Sequence, residues 1–204
     1  MSRITVGVVD YGVGNHASVR SCLLGLGFRC WVTSDPVQLA SADLLLLPGV
    51  GAFPAAMEAL ARTGTDEFII GQASRKQPIL GICLGMQLLA QISHEHGETR
   101  GLGLIPGMVL PIVGQQRWHI GWNEIEVPRS DSLLGESAGQ AFYFNHSFAY
   151  TGPQTYICAV ASQGNMLTAA IRRGQIMGLQ FHPEKSQIAG QKLLHRVITG
   201  LARG

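Results

Sequence analysis

Ile79-Leu80-Gly81-Ile82-Cys83-Leu84-Gly85-Met86-Gln87 is the stretch that decides how the rest of the chain is read. The apolar run ending at Ile82 predicts a buried strand, and the pattern from Leu84 to Ile92 predicts a helix. Cys83 occupies the turn between them. Gly81 and Gly85 flank it at the G-x-C-x-G spacing, the thiol version of a nucleophile elbow. Such a turn pushes the side chain out above the sheet, where a helix N-terminus stabilises a thiolate. The backbone N–H of Leu84 then faces the oxyanion formed when sulfur attacks a carbonyl. Most free cysteines are small buried hydrophobes. The two glycines at a strand-to-helix switch favour the catalytic reading here.

Working outward, short apolar strands alternate with helical patterns through the first half. Strands are expected at Ile4–Val9, Arg29–Thr33, Asp43–Leu47 and Pro78–Ile82. Helices are expected with Val19, Leu23, Leu24 and Leu26 on one face, from Pro54 through Ala61, and over Asp66–Ser74. This alternation indicates βαβ units around a parallel sheet buried on both faces. The second half carries short alternating segments instead: Met108–Ile112, Glu124–Val127, Phe142–Tyr143, Phe148–Tyr150, Tyr156–Ala161, Leu167–Arg172 and Ile176–Phe181. They suggest additional antiparallel strands, a sheet or hairpins laid against the parallel one, closed by a helix over Ser186–Leu201. The expected fold is therefore a single α/β domain over residues 1–204, its central, mostly parallel sheet flanked by helices.

Composition narrows the function classes. The 204 residues are 46% hydrophobic and only 14% charged, against about 25% charged in ordinary domains. A chain of this length buries roughly 70% of its unfolded surface, so it needs no disulfide or metal staple. Disorder, coiled coil and collagen are excluded. Twelve Arg and three Lys are spread along the chain for a net charge of +2, without a basic tract that would suggest nucleic acid. No apolar run reaches the ~18 residues of a membrane span, and the start from Met1 is too short for a secretory signal. Cys22, Cys30, Cys83 and Cys158 lack metal-ligand spacing, so no metal is expected, and a reducing, cytoplasmic setting is the simplest.

A base for the thiol comes late, in Gly178-Leu179-Gln180-Phe181-His182-Pro183-Glu184-Lys185-Ser186. In an extended segment His182 and Glu184 project to one side, so Glu184 can accept the second ring N–H of His182 and set its tautomer. Cys83, His182 and Glu184 form the expected catalytic triad. His146 competes as base but has no neighbouring carboxylate. His94 and His96 flank Glu95 in what reads as a solvated polar loop, and His16, His119 and His195 show no constellation. Two glycine loops follow strands. Gly12-Val13-Gly14 lacks the third glycine of a dinucleotide fingerprint, so no such cofactor is expected. Pro48-Gly49-Val50-Gly51 can bring a second oxyanion donor, from Val50 or Gly51, beside the elbow.

On these motifs the chain resembles the class I (triad) glutamine amidotransferases, and among them the glutaminase subunits of imidazole glycerol phosphate synthases. Asp10-Tyr11-Gly12-Val13-Gly14-Asn15, Leu47-Pro48-Gly49-Val50-Gly51-Ala52-Phe53, the Cys83 elbow, Gly101–Gly107, His119-Ile120-Gly121-Trp122-Asn123 and Gln180–Ser186 carry the likeness. Asn145 and Phe148 stand where the family usually has an apolar residue and a tyrosine. The resemblance implies a flavodoxin-like fold and hydrolysis of L-glutamine to glutamate and ammonia, without a cofactor. It implies an oxyanion hole of Val50 and Leu84, substrate binding by Gly49, Gly51 and Gln87, and a heterodimer with a (β/α)₈-barrel cyclase. That cyclase makes imidazole glycerol phosphate and an aminoimidazole carboxamide ribotide in histidine biosynthesis. Asn15, Trp122, Tyr143 and Lys185 are then the expected partner-facing residues. A paralogous glutaminase serving sugar modification in surface-polysaccharide synthesis is the second reading. Val50, a β-branched residue between two glycines, suggests a peptide that flips its N–H into place only when the partner presses on this face.

Overall fold

Strands without a polar face must be covered on both sides, and that demand builds this molecule. The computed structural model describes residues 3–114, 116–129 and 131–204, so Met1 and Ser2 of the amino-terminal stretch lie outside it. In order, β1 (Thr5–Val9), α1 (His16–Gly25), β2 (Arg29–Thr33), α2 (Pro36–Ala40) and β3 (Leu44–Leu47) open the chain. Then come α3 (Phe53–Arg62), α4 (Thr65–Ser74), β4 (Ile79–Ile82), α5 (Leu84–Leu88), β5 (Ile92–Ser93), β6 (Thr99–Arg100) and β7 (Met108–Pro111). The rest is β8 (His119–Glu124), β9 (Ala141–His146), β10 (Phe148–Thr151), β11 (Ile157–Gln163), β12 (Asn165–Arg173), β13 (Ile176–Leu179) and α6 (Gln187–Arg203).

Every residue of β1, β3 and β4 is buried. They belong to a seven-stranded sheet ordered β11-β12-β13-β4-β3-β1-β2, in which β13, β4, β3, β1 and β2 run parallel. Read from β2, the parallel part has the flavodoxin-like order, which places clefts at the carboxyl ends of the strands. One face is covered by α1 and α6 through Val19, Leu23, Leu193, Leu194 and Val197. The other is covered by α3 and α4 through Phe53, Leu60 and Ile69. A four-stranded sheet, β10-β7-β5-β6, and the β8–β9 pair stand beside it.

Four expectations need correction. The helix from Leu84 stops at Leu88 instead of Ile92. The carbonyls of Leu88, Leu89 and Ala90 accept from the N–H groups of Leu102, Ile105 and Gly103, and that captured backbone leads into β5. Leu24 is 40% exposed, so the buried stripe of α1 is Val19 and Leu23. The strand expected over 124–127 does not form; β8 ends at its first residue, Glu124, and Glu126 only bridges Val160. Finally, β12 and β11 do not form a layer against the parallel sheet but extend it edge to edge through β13. The sequence reading also missed α2, a single turn whose first N–H groups are capped by Asp35 accepting from Val37.

A β-carbon on Gly85 would lie 1.9 Å from the Leu47 carbonyl oxygen, whereas one on Gly71 in α4 would meet open space. We expect Gly85→Ala to cost about 3 kcal/mol or more by overpacking against fixed backbone. Gly71→Ala should be neutral or stabilise by up to ~1 kcal/mol. Urea unfolding of both variants checks this, and equal midpoints would refute it.

Candidate active site

The turn after β4 holds its cysteine in an unusual conformation. Cys83 has φ 53° and ψ −110°, a positive-φ state that a non-glycine residue adopts only at a cost of order 1–3 kcal/mol. Its N–H donates to the Leu179 carbonyl at 2.7 Å, and its own carbonyl accepts from Met86 and Gln87. Gly81 is needed because a β-carbon there would sit 2.4 Å from the Gly85 carbonyl oxygen. The Leu84 N–H, in the first turn of α5, has no carbonyl four residues back to bond. Cys83 thus stands at the floor of a cavity of about 300 Å³ with Leu84 beside it.

His182 reaches the cavity from the segment after β13. Its Nδ1 lies 2.8 Å from Glu184 Oε1, and its ring lines the same cavity as Cys83. The His182–Glu184 contact forms across a 3-10 turn, Pro183–Lys185, and not in the extended segment expected from the sequence. Ser186, fully buried, clamps that turn to β9: its hydroxyl donates to the His182 carbonyl at 2.6 Å and accepts from Tyr143 N–H at 3.0 Å. Burial by itself lowers the basicity of His182. The hydrogen bonds with Cys83 and Glu184, and their charges, outweigh it and raise the imidazole from 6.5 to about 9. The ring is therefore held as a cation against an anionic partner at neutral pH. Burial pushes the thiols of Cys22 and Cys30 up, and that of Cys158 up to about 11 with the Asp131 charge adding, so these three stay protonated.

Val50 and Gly51 line the cavity, and Gly49 packs behind it, where a β-carbon would press into Leu84 Cβ at 2.7 Å. Tyr11, its phenol pushed up chiefly by burial and then by the Cys83 charge, donates to the Pro48 carbonyl and anchors this loop. Gln87 lines the cavity while its amide N–H groups are engaged by Phe148 and Gln180. Asn15 caps α1 by accepting from Ser18 N–H. Trp122 is 50% exposed and meets Tyr143 edge-on at 6.2 Å, so it is not a core tryptophan, and Lys185 is exposed on the 3-10 turn.

Two groups to which the sequence assigns no role belong here. Glu95, expected in solvent, is only 8% exposed, lines the cavity and accepts the Phe53 N–H at 2.8 Å, which caps α3. Gln180, fully buried, points its Nε2 at Cys83 Sγ at 3.9 Å. Its signal was available, since residues two apart on a strand share a face and Gln180 precedes His182 by two. His146 lines the cavity but bonds the Phe148 carbonyl through Nδ1, and burial lowers it to about 4, which removes it as a base at neutral pH. No three His, Cys, Asp or Glu side chains among the described residues gather as a metal site. Chemically, the arrangement can attack a planar carbonyl with sulfur, hold the resulting oxyanion and return a proton.

A family model described as glutamine amidotransferase class-I matches residues 7–199. The chain is 40% identical over 190 residues to the imidazole glycerol phosphate synthase subunit HisH of Listeria monocytogenes serotype 4b (strain CLIP80459), covering 92% of this chain and 91% of that one. It is 44% identical over 198 residues to the subunit of the same name from Symbiobacterium thermophilum, covering 95% and 92%. The solved structure of PurLQS from Thermotoga maritima superposes with a TM-score of 0.77 at 20% identity, covering 98% of this chain and all of that one, a likeness of fold.

The raised imidazole makes a pH prediction. Its folded-state value lies above the ~6.5 of an unfolded histidine, so the folded form binds the proton more tightly. That stabilisation is complete below about pH 6.5 and is lost as pH rises through about 9. The gap in unfolding free energy between wild type and Glu184→Gln should therefore be largest at pH 6 and narrow by pH 9.5. A gap that stays constant across this range would contradict the assignment.

Proposed function

The chain belongs to the glutamine amidotransferase class-I family, and we propose that it is the glutaminase subunit of an imidazole glycerol phosphate synthase. The observation that carries the reading is Cys83 at positive φ on its glycine-flanked turn, facing the His182–Glu184 pair. The Cys83 thiolate attacks the carboxamide carbon of L-glutamine, and the N–H groups of Leu84 and Val50 hold the oxyanion. His182 gives its proton to the leaving nitrogen, ammonia departs, and a γ-glutamyl thioester remains. The neutral His182 then takes a proton from water, whose oxygen attacks the thioester; glutamate leaves and the sulfur is restored. Glu184 holds the ring with Nε2 toward the sulfur throughout.

Substrate placement follows from what lines the cavity. Gly51, Gln87 and the backbone beside Gly49 bound the side-chain amide, and the Glu95 carboxylate is suited to the α-ammonium group of glutamine. Asn15, Trp122, Tyr143 and Lys185 are assigned to the proposed contact with a cyclase subunit, which receives the ammonia. A covered interface matters chemically, because ammonia released to water at neutral pH is mostly protonated. The second reading, a glutaminase for sugar modification, is not favoured, since relatives 40% and 44% identical carry the imidazole glycerol phosphate synthase name.

Cys83→Ala is expected to lower glutamine-dependent synthesis by the assembled complex by ~10³ or more while ammonia-dependent synthesis survives. Cys22→Ser, Cys30→Ser and Cys158→Ser should keep both activities. Retention of glutamine use in the first, or its loss in a folded member of the second set, would reopen the choice of nucleophile.

Control resides in the Val50 peptide. Removal of one oxyanion donor costs about 10²–10³ in rate. Val50 disfavours the conformations open to Gly51, which has φ +106°. We expect the isolated chain to hydrolyse glutamine poorly and to gain about 10² or more when the cyclase is bound and holds its substrate. Turnover measured for the chain, the empty complex and the loaded complex tests this; equal rates in all three would leave the loop a fixed donor.

A further inference from the structure

A polar chain runs from the Ser162 carbonyl to His146 and Phe148, which line the cavity. Asn123 Nδ2, in β8, donates to the Ser162 carbonyl at 2.6 Å and lies 3.1 Å from His119 Nε2. His119 Nδ1 is 3.3 Å from His146 Nε2, and His146 Nδ1 is 2.8 Å from the Phe148 carbonyl. A carbonyl only accepts, so the direction of every bond follows from the two ends. From Ser162, the Asn123 amide must present its NH₂; His119 Nε2 therefore accepts and Nδ1 carries the ring proton. From Phe148, His146 Nδ1 must donate, so Nε2 accepts, and His119 Nδ1 is again the donor. Both routes give two neutral rings, each protonated on Nδ1. One further proton on either ring would set two N–H groups against each other. Burial agrees with this, lowering both rings to about 4.

The chain continues to the nucleophile. The Phe148 carbonyl also accepts from Gln87 Nε2 at 2.9 Å, and Gln87 Nε2 donates to Gln180 Oε1 at 3.1 Å. With its oxygen so engaged, the Gln180 amide turns its NH₂ to Cys83 Sγ, where a donor favours the thiolate. The same turn places the Asn145 carbonyl 3.9 Å from that sulfur, so its position decides what the thiol meets.

We propose that His119 and His146 are positioning residues for the glutamine hydrolysis argued above: by clamping the Phe148 carbonyl they hold the turn over residues 145–148, and with it the Gln87 and Gln180 amides, in register with Cys83. The inference rests on the glutaminase reading and assigns neither ring a proton-transfer step, because the Nε2 lone pair of each is already engaged. His119 stacks flat on Phe144, with centroids 4.1 Å apart and an interplanar angle of 14°. His119→Phe therefore keeps the stack and removes only the hydrogen bonds. Asn at residue 146 can place a donor where His Nδ1 stands, and Leu cannot.

The test uses the full chain assembled with its cyclase subunit and L-glutamine as substrate. His119→Phe and His146→Leu should each raise the KM for glutamine about tenfold, the effect of one buried hydrogen bond, with kcat less affected. His146→Asn should recover most of the loss. A purely structural defect would reduce the amount of active enzyme, lowering kcat at unchanged KM. In ¹⁵N-histidine spectra of the wild-type chain, both rings should be neutral Nδ1–H tautomers from pH 5.5 to 8. An Nε2–H tautomer in either ring, an unchanged KM in His119→Phe, or an Asn variant no better than Leu overturns the proposal while wild type still hydrolyses glutamine. A wild-type complex that releases no glutamate from glutamine overturns the glutaminase reading and this inference together.

Discussion

The contact between the Leu47 carbonyl and the Cα of Gly85 is the constraint on which the site depends. It brings the end of β3 against the first turn of α5 so closely that no side chain fits between them. Gly81 makes the matching approach from the other side of the turn. Between these two close approaches Cys83 takes a positive φ. The strain is held by bonds on three sides: to Leu179 from the Cys83 N–H, and from Met86 and Gln87 to its carbonyl. A nucleophile fixed this way has little freedom to lose when substrate binds, which is the condition for a productive approach to a carbonyl.

The electrostatics build on that fixed point. The parallel order delivers the ends of β1, β3, β4 and β13 to one edge, so Tyr11, the Pro48–Gly51 loop, Cys83 and His182 meet there although far apart in sequence. His182 is nearly excluded from water and nevertheless favours its charged form, because Glu184 and Cys83 supply more than burial removes. Its neighbour His146, equally enclosed but facing a carbonyl and another imidazole, is driven the opposite way. Two histidines in one cavity thus have opposite charge states for reasons that lie entirely in their partners.

The outer part of the molecule has a different character. The β8–β9 pair is paired to no other strand among the described residues, and β8 exposes Ile120 and Trp122 on one face, with the exposed Trp118 just before it. The opposite face of β8 carries His119, which belongs to the buried chain toward Cys83. One short strand therefore presents an apolar surface outward and a hydrogen-bonded histidine inward. A shift of that strand on docking would be felt at the Phe148 carbonyl through bonds of fixed direction.

Much was legible in the sequence wherever the cause was local. The unbroken apolar runs announced strands covered on both faces, β2 runs from Arg29 to Thr33 as expected, and Gly81, Cys83 and Gly85 announced the turn. His182 and Glu184 could be paired because only Pro183 separates them, whatever the backbone between. What tertiary structure alone decided involves partners that no local pattern connects. The length of α5 depended on carbonyls captured by residues 102–105. Glu95 reads as solvated until α3 presents the Phe53 N–H that buries it. His119 shows no constellation until β8 pairs with β9 and brings it to His146. Side-chain period and backbone propensity act over a few residues, whereas burial and hydrogen-bond direction are set by whichever distant segment the packed sheet places alongside.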